Sequence, residues 1–165
     1  MRLNKFAGAI LFASSVCFVM GSSSAATQLD SSFNVKIAIS SMCTLKTIDD
    51  VDFGTVDTNT ATKIERTQLS VKCNDQQPYL ISLKPSNNSI NGQGMMTSGD
   101  GLHKINYSLY QDPQATVPAG SDANAFGGTG TGKNVNHNVY VKVLGSEFDK
   151  PSGHYNDVIS VAVNY

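Results

Sequence analysis

The sequence predicts an all-β sandwich, and three observations predict it. Apolar residues after residue 32 recur at every second position rather than at helical spacing. Clusters of Gly, Pro, Asn, Asp and Ser punctuate those runs. No stretch of about a dozen residues carries the one-sided apolar stripe of a surface helix. The length, 165 residues, suits one domain. Charged residues make up 15% of the chain, below the roughly 25% usual for soluble domains. The 12 Lys and Arg are scattered singly. They form no basic stripe for phosphate contacts, which excludes a nucleic-acid partner.

Residues 1–26 read as a secretory signal peptide outside the fold. Arg2 and Lys5 give the positive start, residues 6–20 the apolar middle, and Ser24-Ala25-Ala26 a small-residue cleavage site, with the cut after Ala26. An apolar run of about 15 residues is short for a membrane span. Removal takes two cations and no acid, so the exported chain is more acidic than the precursor, whose net charge is −1.

The first strand is expected from Phe33. Phe33, Val35, Ile37 and Ile39 alternate with Asn34, Lys36, Ala38 and Ser40, and the same parity reaches Cys43. A short extra strand is expected at residues 51–53. Thr67, Leu69, Val71 and Cys73 then alternate with Gln68, Ser70 and Lys72. Further strands are expected at residues 79–83, 105–110 and 139–144. The last strand runs over residues 155–165, with Tyr155, Asp157, Ile159, Val161, Val163 and Tyr165 on one face. Turn signals separate them at residues 84–88, 98–101, 111–113 and 150–153.

Cys17 leaves with the signal. Cys43 and Cys73 remain, each on the apolar parity of its strand, and in an oxidising compartment such a pair reads as one disulfide. Two Cys with no nearby His make a poor zinc site. No metal or cofactor is expected.

Two features do not suit a self-sufficient sandwich. An immunoglobulin-type sandwich needs about seven strands, and only six good ones follow Phe33. A missing strand leaves an apolar groove beside an unpaired edge, a template for another chain. The exported N-terminus also adds an extended segment ahead of the core. Such a segment is either a spare strand able to fill that groove in a neighbour or a loose tail, and pattern alone leaves both open.

The run from Phe33 through Ser40-Ser41-Met42-Cys43-Thr44-Leu45 resembles the opening of the spore coat protein U family, which includes subunits of archaic chaperone–usher pili. Further matches are Val51-Asp52-Phe53-Gly54-Thr55-Val56, Leu69-Ser70-Val71-Lys72-Cys73 and Ile105-Asn106-Tyr107-Ser108-Leu109-Tyr110-Gln111-Asp112. The ending from Gly153 through Tyr155 and Asp157 to Tyr165 is similar to the family's Gly-x-Tyr-x-Asp close. The family's Arg-x-Met element is not clear here, since Gly94-Met95-Met96 lacks the Arg.

The resemblance implies an incomplete immunoglobulin-like β-sandwich lacking its seventh strand (residues 37–165), preceded by a donor-strand extension (residues 27–36). It implies a pilus subunit handled by a periplasmic chaperone and an outer-membrane usher, which polymerises head to tail at the cell surface and supports adhesion and biofilm growth. The donor side chains would be Leu29, Ser31, Phe33, Val35 and Ile37. The acceptor groove would be walled by Ile37 and Ile39 of the first strand and by Ile159, Val161 and Val163 of the last. The alternative is a self-contained secreted module, either spore-coat-like or carbohydrate-binding.

No enzyme chemistry is expected. Gly127-Gly128-Thr129-Gly130-Thr131-Gly132-Lys133-Asn134 nearly spells a phosphate-binding loop, but Asn134 replaces the magnesium-binding hydroxyl and no helix follows. A flexible surface loop is expected there. His103, His137 and His154 lie far apart and are expected to be solvated. Asp157 is expected to accept hydrogen bonds at a turn, and Asp49, Asp50 and Asp52 to be hydrated.

Overall fold

The computed structural model describes residues 28–47 and 49–165. The expected signal peptide lies outside the described residues. The chain divides into two units, Met1–Ile37 and Ala38–Tyr165. In the first, residues 28–37 hold no helix or strand and every one of them is exposed. Gln28 Nε2 donates to Asp30 Oδ1 at 2.6 Å.

Among the described residues of the second unit, nine strands form two sheets. They are β1 (Cys43–Thr47), β2 (Lys63–Cys73), β3 (Pro78–Lys84), β4 (Gln93–Ser98), β5 (Lys104–Tyr110), β6 (Phe126–Thr129), β7 (Asn134–Val143), β8 (Tyr155–Asn156) and β9 (Ser160–Asn164). The larger sheet has the order β1-β2-β7-β5-β4-β8 and the smaller β6-β3-β9. Every paired strand is antiparallel. The core between the sheets is built on Val71, Ile81, Leu83, Leu109, Val141 and Val143. This is the curled two-sheet architecture of an incomplete immunoglobulin-like sandwich.

Alternation predicted the faces well. Leu69, Val71 and Cys73 are buried along β2 while Lys72 is exposed. Cys43 lies directly opposite Cys73 in the β1–β2 ladder, and the two form the expected disulfide. The strand expected from Phe33 does not form: residues 28–42 carry no strand, and the first begins at Cys43. Alternation gives a segment the capacity to pair, but a strand exists only against a neighbouring edge. Residues 51–53 likewise run beside β2 without a ladder. The last expected strand splits in two. β8 pairs with β4 and β9 with β3, and Asp157–Ile159 carries the chain from one sheet to the other.

Two strands went unseen in the sequence, and one device explains both. In β4, Gly94 sits opposite Tyr107 of β5. In β6, Gly128 sits opposite Tyr79 of β3. Each inward tyrosine folds across its glycine, so that a Cβ on Gly94 would lie 2.0 Å from Tyr107 Cζ and one on Gly128 2.3 Å from Tyr79 Cζ. The segment at Phe126–Thr129 is therefore a paired strand and not the flexible loop expected. Gly94→Ala and Gly128→Ala should each cost about 1–3 kcal/mol by overpacking. Gly127→Ala, whose Cβ would meet only Leu80 at 3.8 Å, should be near neutral. Urea unfolding of the three variants checks the contrast.

His137 is also not solvated as expected. It is half-buried on β7, its Nε2 lies 2.9 Å from the Tyr79 hydroxyl, and its ring packs edge-on against Tyr79 and Phe126. Burial holds its pKa below the ordinary 6.5. The unfolded chain therefore takes up the proton more readily than the folded one. The stability present above pH 6.5 falls as the pH drops below that value toward the folded pKa. Thermal unfolding at pH 7.5 and 5.0 should show a larger loss for the native chain than for His137→Gln.

Candidate functional site

β9 is an edge of the smaller sheet. One side pairs with β3, and the other meets no strand among the described residues. Val161 and Val163, with Ile159 just before them, turn inward as their odd positions predict, yet all three are only half-buried. Their cross-strand neighbours Leu83 and Ile81 are closed off at 2% and 0% exposed. The inward residues of β9 thus belong to the core face by parity but lack a cover.

The opposite border is the polypeptide at residues 49–53, which continues the line of β1. Side chains hold it there instead of a ladder. Thr67 Oγ1 donates to the Asp49 carbonyl and Lys63 Nζ to the Phe53 carbonyl. Between the borders lies a cleft of about 540 Å³. Leu69, Leu83, Met96, Val139 and Val141 are among the apolar residues lining it, together with Val51 and Phe53 on one border and Ile159 and Val161 on the other.

Tyr107, Tyr155 and Asp157 also line the cleft. Tyr107 is 4% exposed, and its hydroxyl donates to Asp157 Oδ2 at 2.6 Å. The other carboxylate oxygen accepts the Val158 N–H at 2.8 Å. Asp157 thus has the turn-accepting place expected of it, where the chain leaves β8 for β9. Burial first, and the Asp157 bond second, push the Tyr107 pKa well above its ordinary 10, so the phenol remains a donor throughout the physiological range. What the cleft offers a ligand is apolar area and, along β9, a row of backbone groups with no strand beside them among the described residues.

Of the residues expected at the groove, Ile159 and Val161 line the cleft, and Val163 packs half-buried against the core. Ile39 is 81% exposed and does not line the cleft, because the strand that would have turned it inward does not form. Leu29, Ser31, Phe33, Val35 and Ile37 stand exposed in the first unit. Exposure of large apolar side chains at alternate positions, 88% for Phe33 and 86% for Val35, is costly to leave in water. The sequence reading missed the floor. Its residues come from β2, β3, β4 and β7, and only their inward parity marked them.

No curated protein matches the chain. Solved structures that share its fold include two complexes. One is a chaperone–tip adhesion subunit pre-assembly complex from the archaic chaperone-usher Csu pili of Acinetobacter baumannii, with 19% identity, a TM-score of 0.55 and 76% of this chain covered. The other is a chaperone–tip adhesin complex of CFA/I fimbriae biogenesis, with 14% identity, a TM-score of 0.50 and 73% covered. The chain spans 40% of the length of each of those two. The spore coat protein U domain matches residues 29–162. That stretch takes in every strand through the start of β9, and the chain belongs to the spore coat protein U domain family.

Proposed function

We propose that the chain is a structural subunit of a surface pilus, joined to its neighbours by strand insertion. The leading segment of one copy, with Leu29, Ser31, Phe33, Val35 and Ile37 turned inward, lies in the cleft of the next and pairs with the open side of β9. Ile159, Val161 and Val163 meet it there, and the border at residues 49–53 flanks it in place of Ile39. Such a contact is heterologous and does not close, so it builds a filament. A periplasmic chaperone holds the cleft before assembly and an outer-membrane usher delivers the subunit, so that the fibre stands on the cell surface and serves adhesion and biofilm growth.

The observation that carries this reading is the half-buried state of Ile159 and Val161 over a closed apolar floor. Each large apolar side chain buried by an inserted strand contributes about 1.5–3 kcal/mol, and the open edge gains ladder partners. The fold and the family support the same reading, since the two structural neighbours come from chaperone–subunit complexes. As a test, residues 27–34 are deleted and the protein is produced with its periplasmic chaperone. The expected result is a soluble chaperone complex and no fibres. Fibres of normal length and number would end the proposal in favour of a self-contained secreted module.

A further inference from the structure

The cleft has an acidic border. Asp49, Asp50 and Asp157 are among the residues lining it, and none of its lining residues is Lys, Arg or His. Asp157 is occupied by Tyr107 and Val158. Asp49 and Asp50 are exposed, and among the described residues their carboxylates enter no hydrogen bond or ion pair. Lys63, which touches the same border through the Phe53 carbonyl, is shared with Glu65 at 3.9 Å.

A strand lying in the cleft turns alternate side chains to the floor and the others to the rim. In residues 29–37 the rim-facing side chains are those of Asp30, Ser32, Asn34 and Lys36, with one cation and one anion six positions apart. In an extended strand that separation is about 20 Å. Apolar parity alone cannot fix where this segment stops, because a slip of two residues leaves every apolar side chain on the floor. Charge distinguishes these placements. In one register and direction Lys36 stands at the free carboxylates. A slip of two replaces it with Asn34 or Ala38, and reversal brings Asp30 toward them.

We propose that Asp49 and Asp50 read Lys36 of the incoming copy and thereby select the direction and register of the inserted strand. The inference rests on the strand-insertion reading above and adds to it the residues that determine specificity. The pairs are exposed, so they discriminate between placements more than they bind, and salt screens them.

The test uses two fluorescein-labelled peptides of residues 28–37, one native and one carrying Lys36→Glu, titrated into the full chain and followed by anisotropy. At about 20 mM salt the native peptide should bind roughly tenfold tighter, and at about 500 mM the gap should close to under twofold. A chain carrying Asp49→Lys and Asp50→Lys, both at exposed positions outside the core, should reverse the preference. Equal affinity of the two peptides at both salt concentrations overturns the charge selection and leaves strand insertion standing. Binding of neither peptide overturns both.

Discussion

A chain carrying Phe33→Asp should fold as the native chain does and fail to polymerise. Phe33 is 88% exposed, so the sandwich itself gives up nothing when it changes. In the proposed joint it is the largest side chain of the inserted strand. Losing its burial costs about 2–3 kcal/mol, and setting a carboxylate over a floor of Leu69, Val139 and Val141 costs several more. Together they weaken each joint by over about a thousandfold. Sedimentation velocity and electron microscopy should find single subunits, while the thermal midpoint stays within about 1 °C of the native value. Native-length fibres from this variant would mean that the segment does not insert.

Removing the disulfide should have the largest effect on the folded body. Cys43 and Cys73 are 30 positions apart, and their bond ties the first residue of β1 to the last of β2. On the chain-entropy account, closing a loop of about that length stabilises by roughly 3–4 kcal/mol. β1 has five residues and among the described residues pairs only with β2, so no second described edge holds it once the bond is gone. Replacing both residues with Ser should lower the thermal midpoint by about 10 °C or more. A reducing agent should bring the native chain down to the same point and leave the double variant where it was. A double variant that unfolds with the native chain would show that the ladder alone holds β1.

The proposed joint connects the two expectations. The inserted segment precedes β1 by five residues, so a pull along a fibre reaches the sandwich through the Asn74 hydrogen bonds to the Ser40 and Met42 carbonyls and then at Cys43. There the covalent bond passes it to β2, which pairs with β7 from Lys63↔Val143 to Lys72↔Asn134. The double serine variant should therefore weaken a fibre even where subunits still fold.

Much of this fold was legible in the sequence because one face of each long strand is buried. The alternation in β2, β3, β5, β7 and β9 follows directly from a two-residue period against a single core. Even the stretch from Tyr155 to Val163 keeps its inward parity across the change of sheet, although nothing in its pattern marks where β8 stops and β9 starts. At that break Asp157 receives the Tyr107 hydroxyl, a contact 50 positions away. β4 and β6 were illegible for a different reason. Gly94 and Gly128 read as turn residues, and only the tyrosine on the facing strand supplies the apolar cover that each lacks.

At the cleft, sequence reasoning could name the last strand, because Ile159, Val161 and Val163 carry the pattern on their own. It placed Ile39 on the facing border because the alternation from Phe33 runs unbroken into Cys43. Alternation records which side chains share a face but is silent on whether a partner edge is present. The true border at residues 49–53 carries only the brief alternation Val51-Asp52-Phe53 and is held by the side chains of Thr67 and Lys63, so nothing in its pattern places it across from β9.

The central claim is that the open side of β9 receives residues 28–37 of another copy, and amide hydrogen exchange along β9 measures it directly. The full chain is compared before and after addition of an excess of a peptide of residues 28–37. The alternate N–H groups of Ser160–Asn164 that point away from β3 should slow by at least about a hundredfold as they enter a ladder. Those facing β3 should change far less. Unchanged exchange on the open side, with the peptide present at saturating concentration, would contradict the account.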